Sequence, residues 1–295
     1  MSAEAIFQAN LNADKILIDM THLPDPITHR FWLRVQNQSL IPLYFKLSMS
    51  MPNWTIESPT NGEIGEILPA STKNLSVGIS RPKPSTEVED DGVLTIEAYT
   101  DNLYTDKVVE RSINIKALIE DLENWDDVDI TDFDDGTPQG WTLASGMSIA
   151  DDVSIEAGGY SARVNEYNIK EASSITKYIE KGITLPNRNK VRVSWYLAIR
   201  DRNASSFSQH FELNNVYVKV DDSEVFYIPS YVLEVNLPGT WGAIRYDGWV
   251  KLTADLSAYR GQTVALRIQF RLQGDHDYPH YGMAWLDRIV IAGSD

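Results

Sequence analysis

The residues with the widest chemical scope lie in one loop, QGDHDYPHYG, between Gln273 and Gly282. It gathers Asp275, His276, Asp277, Tyr278, His280 and Tyr281. Imidazole and carboxylate ligands suit zinc or another transition metal. The same side chains suit a sugar, with Tyr faces stacking and Asp accepting hydrogen bonds from hydroxyls. A third reading is a polar loop whose Tyr rings cover a sheet edge. His276 and His280 are four apart, but Pro279 lies between them, so that spacing does not enforce a common helical face.

A second concentration is acidic. From Glu120 to Asp135, in EDLENWDDVDITDFDD, nine carboxylates occur with no Lys or Arg. The formal net charge is −16, and this stretch supplies more than half of it. Neither flanking half is strongly charged, so no basic footprint for nucleic acid or for an anionic membrane is present. A third concentration is aromatic: Tyr227, Tyr231, Trp241, Tyr246 and Trp249 in a turn-rich segment. These could form a platform for glycan or protein, or pack in the core and at sheet edges. No G-x-S-x-G, H-E-x-x-H, P-loop or dinucleotide fingerprint occurs. Paired carboxylates of the glycosidase kind have no partner marked in the sequence. The expectation is a protein that is not an enzyme.

The elements that must position these residues are strands. Period-two alternation dominates the 295 residues. In the first half it puts Ile16, Ile18 and Met20 on one face, Phe31, Leu33 and Val35 on another, and Leu75, Val77 and Ile79 on a third. Pro, Gly and Asn clusters punctuate these runs, as in an antiparallel β-sandwich. In the second half the strands lengthen. NKVRVSWYLAIR aligns Val191, Val193, Trp195, Leu197 and Ile199, and TVALRIQFRL aligns Val264, Leu266, Ile268, Phe270 and Leu272. The fold class expected is all-β, an immunoglobulin-like sandwich over 1–117, an acidic linker over 118–128 and a larger jelly roll over 129–295. Glu120 to about Asp127 reads as a solvated hinge. From Asp129 a first strand is expected, with Phe133 facing the core and Asp132 and Asp134 on the opposite face.

Two resemblances sharpen this. FWLRVQNQS, MPNWTIE, GEIGEILPASTKNLSVGISRP and DDGVLTIEAYTDN, over about 12–116, resemble the immunoglobulin- or fibronectin-like domains of prokaryotic surface proteins, which usually act as spacers or adhesive modules. DFDDGTPQGWTLASG, EAGGYSARV, GWVKLTADLSAYRGQTVALRIQF and AWLDRIVIAG, over roughly 129–292, resemble jelly rolls of the MAM and cleaved-adhesin type, which in turn resemble many carbohydrate-binding modules. That second resemblance implies a structural calcium held by Asp134 and Asp287, with Asp132 and Glu156 as further oxygen donors, because calcium takes roughly six to eight oxygens. The chain departs from the pattern at Arg288, where a second acid is usual, so an ion pair between Arg288 and one of these acids is the competing expectation.

The chain has no cysteine, which excludes disulfides and thiolate chemistry. No apolar run reaches the roughly 18 residues of a membrane helix. The N-terminus lacks the basic-then-apolar pattern of an export signal, so either export takes another route or a signal has been removed. Sequons occur at Asn37, Asn53, Asn74 and Asn203. The reading that combines these features is a non-catalytic protein of a cell or virion surface, whose jelly roll contacts glycan, protein or copies of itself. The alternatives are a spike, decoration or filament subunit of a viral or extracellular assembly, and an accessory module of a hydrolase.

Overall fold

A computed structural model describes residues 6–11, 15–152, 154, 155, 158–165, 174–202, 211–228, 231–233, 244–274 and 281–295. The chain is all-β and divides into two units, Met1–Asp121 and Leu122–Asp295. Among the described residues no helix is long and apolar enough to cross a membrane.

The smaller unit runs through β1 (Phe7–Leu11), β2 (Lys15–Asp19), β3 (Ile27–Asn37), β4 (Leu43–Ser50), β5 (Thr55–Ser58), β6 (Glu63–Ile67), β7 (Thr72–Arg81), β8 (Val88–Tyr99) and β9 (Lys107–Glu120). One sheet has the order β1-β3-β7-β5 and the other β2-β9-β8-β4-β6. The alternating residues read from the sequence meet between them. Phe31, Leu33, Val35, Val77 and Ile79 pack with Phe45, Leu94, Ile96, Ile115 and Ile119 in one core. Phe7 and Phe45 cross edge to face at 5.3 Å. The turn before β6 depends on Gly62, which has φ +70°; a Cβ there would lie 1.9 Å from the Leu47 carbonyl oxygen. Near the other end of β8, Asp90 takes hydrogen bonds from Trp54 Nε1 and from Arg81, so the buried guanidinium and carboxylate satisfy each other.

The larger unit contains β10 (Asp127–Thr131), β11 (Thr142–Leu143), β12 (Met147–Ala150), β13 (Ser161–Asn165), β14 (Ser174–Thr184), β15 (Lys190–Arg202), β16 (Phe211–Val220), β17 (Ser223–Ile228), β18 (Tyr231–Leu233), β19 (Ile244–Asp255), β20 (Thr263–Gly274) and β21 (Tyr281–Ser294). The sheets are β12-β13-β21-β15-β19, with β10 also on β21, and β11-β14-β20-β16-β17, with β18 also on β16. Val191, Val193, Trp195 and Leu197 are buried as the alternation predicts. Arg192, Ser194, Tyr196 and Ala198 are buried too, because β15 lies between β21 and β19 with its outer face covered. Trp125 supplies part of that cover, with the Arg192 guanidinium 5.9 Å from its ring centroid.

Three sequence expectations change. The stretch 118–128 is not a linker: Leu118 to Glu120 complete β9, and the second unit starts at Leu122. Nor is it a solvated hinge. Glu120 is buried, and Leu122 and Trp125 pack on Val290 and Ala292. Its acids have recruited distant bases: Glu123 accepts from Arg288 Nε at 2.9 Å, and Asp127 from Arg188 Nε at 2.6 Å. Finally, the strand through this region ends at Thr131. Phe133 is buried, but it sits at φ +60° in a turn, so Asp132 and Asp134 do not share a strand face.

Candidate functional site

Two places in the larger unit hold chemistry. The first is a notch in the sheet of β21. One edge of β21 is divided between two partners: β10 covers Ile289–Gly293 and β13 covers Met283–Leu286. Asp287 and Arg288 fall between them, and the pairing of β15 with β21 shifts register there. Arg288 takes φ +42°, which marks a local bulge. Asp287 is 3% exposed. Its Oδ2 accepts the Ile155 N–H at 2.9 Å and its Oδ1 the Arg288 N–H at 2.7 Å. The turn after β10 brings two more acids close. Asp132 Oδ1 accepts from Asp134 N–H at 3.1 Å and from Gln139 Nε2 at 3.0 Å, and Asp134 Oδ1 accepts from Tyr160 N–H at 3.1 Å.

Burial pushes the Asp287 carboxyl up to about 7; the negative charges of Asp134 and Asp132 push the same way, against the two backbone donors. The notch therefore sets a buried carboxyl beside two further acids. The Arg288 guanidinium reaches Glu123, with Nε 2.9 Å from Oε1. Carboxylate oxygens gathered in this way match calcium in chemistry. In spacing they fall short: among the described residues no three His, Cys, Asp or Glu side chains stand close enough to hold an ion. Glu156 lies outside the described residues.

The loop read as a metal or sugar site is largely outside the described residues: Asp275, His276, Asp277, Tyr278 and His280 all are. Tyr281 opens β21, where its backbone pairs with Arg202. Of the aromatic segment, Trp241 lies outside as well, while Tyr231 and Tyr246 belong to β18 and β19. Trp249 is half-buried, edge to face with Tyr196 at 6.5 Å. Tyr227 is 37% exposed.

Tyr227 leads to the second place, which the sequence reading missed. On the outer face of β14-β20-β16-β17 the register aligns Tyr178 with Gln269, Gln269 with Tyr217, and Tyr217 with Tyr227. These four residues form a row across four strands, while the flanking Ile179, Ile268, Phe270, Val216 and Val218 point into the core. Tyr217 and Tyr227 stack at 5.0 Å with their planes 29° apart. Burial raises the Tyr227 hydroxyl above its ordinary range, with the Tyr217 hydroxyl and Glu224 adding to it.

The adjacent row is Glu180, Arg267, Lys219 and Glu224. Arg267 donates Nε to Glu180 Oε2 at 2.7 Å and Nη1 to Asp222 Oδ1 at 2.9 Å, and its guanidinium lies 4.6 Å from the Tyr178 ring centroid. The result is a line of phenols and one amide beside a line of fixed charges. It can stack on apolar ring faces and exchange hydrogen bonds with hydroxyls. The alternate positions of SITKYIEKG, NVYVKV and RIQFR carry the polar face in sequence, but not the offsets that align it.

No known protein family and no curated protein matches this chain. Solved structures do resemble it. A carbohydrate-binding module of Caldicellulosiruptor saccharolyticus, solved with mannohexaose, shares 16% identity over 58% of this chain and 99% of that one, with TM-score 0.43. A cleaved adhesin domain of Lys-gingipain from Porphyromonas gingivalis shares 14% over 58% and 100%, with TM-score 0.38. A module specific for non-crystalline cellulose shares 14% over 56% and 94%, with TM-score 0.36. Likeness at this level says nothing about what this chain binds.

The sequons also separate. Asn37 is fully buried, with its amide donating to the Ile41 and Ile67 carbonyls, so the folded chain offers no glycan attachment there. Asn53 and Asn74 are exposed, and Asn203 lies outside the described residues.

Proposed function

We propose that the larger unit is a non-catalytic binding module that takes a linear glycan across the outer face of β14, β20, β16 and β17. The observation that carries this reading is the register that lines up Tyr178, Gln269, Tyr217 and Tyr227. Four strands at about 4.8 Å spacing make a row on the order of 14 Å long, enough for several sugar rings laid perpendicular to the strands. Tyr edges and the Gln269 amide would meet hydroxyls, and Glu180, Arg267, Lys219 and Glu224 would bound one side. The smaller unit serves as an immunoglobulin-like spacer, and the protein works at a cell or virion surface. A panel of soluble polysaccharides in affinity electrophoresis tests the reading. One polysaccharide class should retard the protein, and Tyr217→Ala with Tyr227→Ala should weaken the retardation at least tenfold with the unfolding temperature held within a few degrees. Retardation unchanged in that double variant would overturn it.

Calcium belongs to the same reading as a structural ion. Asp132, Asp134 and Asp287 would have to draw closer together to hold it, with Glu156 as a fourth carboxylate, and the ion would offset their negative charge. Millimolar calcium should raise the unfolding temperature of the larger unit relative to chelator, and Asp287→Asn should remove the difference. No shift in the native protein would refute the ion.

A further inference from the structure

The two sheets of the smaller unit differ in charge. Strands β1, β3, β7 and β5 hold Arg30, Arg34, Lys73 and Arg81 against a single acid, Glu57. The strands of the opposite sheet hold nine acids against five bases. Within a chain of net charge −16, one sheet is thus locally basic. Two of its bases are already engaged: Arg81 pairs with Asp90, and Lys73 Nζ donates to the Ile64 carbonyl at 2.7 Å. Arg30 and Arg34 are exposed, and no described residue forms an ion pair or a hydrogen bond with either side chain.

Both arginines lie on the outer face. Phe31, Leu33 and Val35 turn into the core, so Arg30, Trp32, Arg34 and Gln36 take the other side of β3. The register sets Asn10 and Asn74 on either side of Arg34, and Gln8 and Thr72 on either side of Gln36. Gln8, Asn10, Thr72 and Asn74 are all exposed. Glu57, on the edge strand β5, is tied to hydroxyls: it accepts from Thr55 at 3.2 Å and from Ser80. The face therefore joins two unpaired guanidinium groups to rows of amides and hydroxyls. Trp32, between the arginines, is 7% exposed and offers solvent no ring face.

We propose that this outer face binds an acidic polysaccharide, one that carries carboxylate or sulfate groups among neutral hydroxyls. A guanidinium meets either group through paired N–H donors. Arg30 and Arg34 stand about 13 Å apart along β3, at roughly 3.3 Å per residue, which suits two acidic groups on one extended chain. The amides beside them would exchange hydrogen bonds with the hydroxyls in between. Nucleic acid fits less well. Duplex carries a charge every ~1.7 Å, which a chain of net charge −16 repels, and single strands call for exposed aromatic faces, whereas Trp32 is buried. An anionic membrane calls for a cluster of roughly four to eight bases, more than this face presents. The site gives the smaller unit a role beyond spacing, and it does not depend on the row from Tyr178 to Tyr227.

Isothermal titration calorimetry of the full chain tests this, with protein made in bacteria so that Asn74 stays bare, and in chelator so that calcium cannot bridge acids. The probes are polygalacturonate for carboxylate and chondroitin sulfate for sulfate. At least one should bind, an excess of neutral dextran should not displace it, and raising salt from about 50 to about 300 mM should weaken it severalfold. Arg30→Ala with Arg34→Ala should weaken binding at least tenfold with the unfolding temperature held within a few degrees. Asn74→Asp, which sets an acid beside Arg34, should weaken it severalfold. Arg111→Ala, and Tyr217→Ala with Tyr227→Ala, should leave it unchanged, which separates this site from the row on the larger unit. Silence from both acidic polymers, binding indifferent to the double arginine variant, or equal affinity for an oligothymidylate or for phosphatidylserine vesicles would each overturn the proposal.

Discussion

Two ionisable side chains give the two units opposite responses to acid. Burial holds His29 of β3 down to about 4. Between about pH 4 and 6.5 the unfolded chain binds a proton there that the folded chain refuses, so the stability of the smaller unit falls as pH drops through that window. Asp287 is raised to about 7, so between about pH 4 and 7 the folded chain holds a proton that the unfolded chain has released. The contribution of Asp287 is greatest at acid pH and falls as pH rises. Each site adds a slope of at most about 1.4 kcal/mol per pH unit. Calorimetry across pH 4–7 in chelator, which keeps calcium off Asp287, should show His29→Gln flattening the response of the smaller unit and Asp287→Asn that of the larger; unchanged slopes would contradict both assignments. At this scale the sequence was partly legible. Motif resemblance pointed to Asp134 and Asp287 as calcium ligands; in the structure the Asp134 charge acts on Asp287, but no three acids among the described residues stand close enough to hold an ion. The partner of Arg288 was not legible, since Glu123 lies 165 positions away and nothing local marks it.

Strands were legible on their inner faces and much less on their outer ones. Alternation identifies Val191, Val193 and Trp195, yet the other face of β15 is buried as well, because cover comes from Trp125, far off in the chain. The row from Tyr178 to Tyr227 escapes for a related reason: period two tells which face a residue takes, but not its offset from the neighbouring strand. Turn residues are more explicit. Gly62 closes against β4 so tightly that Gly62→Ala should cost about 3 kcal/mol or more, combining a backbone clash with an unfavourable positive φ. Urea unfolding of the variant measures this, and a loss under about 1 kcal/mol would show that the turn relaxes. Trp125→Ala strips the cover from Val290 and Ala292 and should lower the stability of the larger unit by about 3 kcal/mol in the same assay.

Across the whole chain, the all-β class and the division into a smaller and a larger sandwich could be read from strand spacing and turn residues. The division could not be placed to the residue, because an acid-rich segment looks solvated until its partners are known. Arg188, 61 residues after Asp127, takes Asp127 at 2.6 Å and Asp295 at 2.7 Å, drawing the acids into a folded cluster. A Glu-specific protease should therefore leave Glu120 and Glu123 uncut under native conditions, at enzyme levels that cleave exposed loops. Early scission at either would restore the solvated hinge. The two units have no covalent tie besides the backbone, since the chain lacks cysteine, and each must hold together without disulfides.

The position of β21 bears on how the larger unit is made. This strand pairs with β10, β13 and β15, so strands translated early in the unit wait for one translated last. A nascent chain stalled before Ile289 would present β10 without its ladder and leave Leu122 and Trp125 without Val290 and Ala292 to pack on. Such pairings across long sequence separations form slowly. Until synthesis reaches β21, open strand edges are hazards for misassembly, and the emerging polypeptide would depend on chaperones to keep them apart.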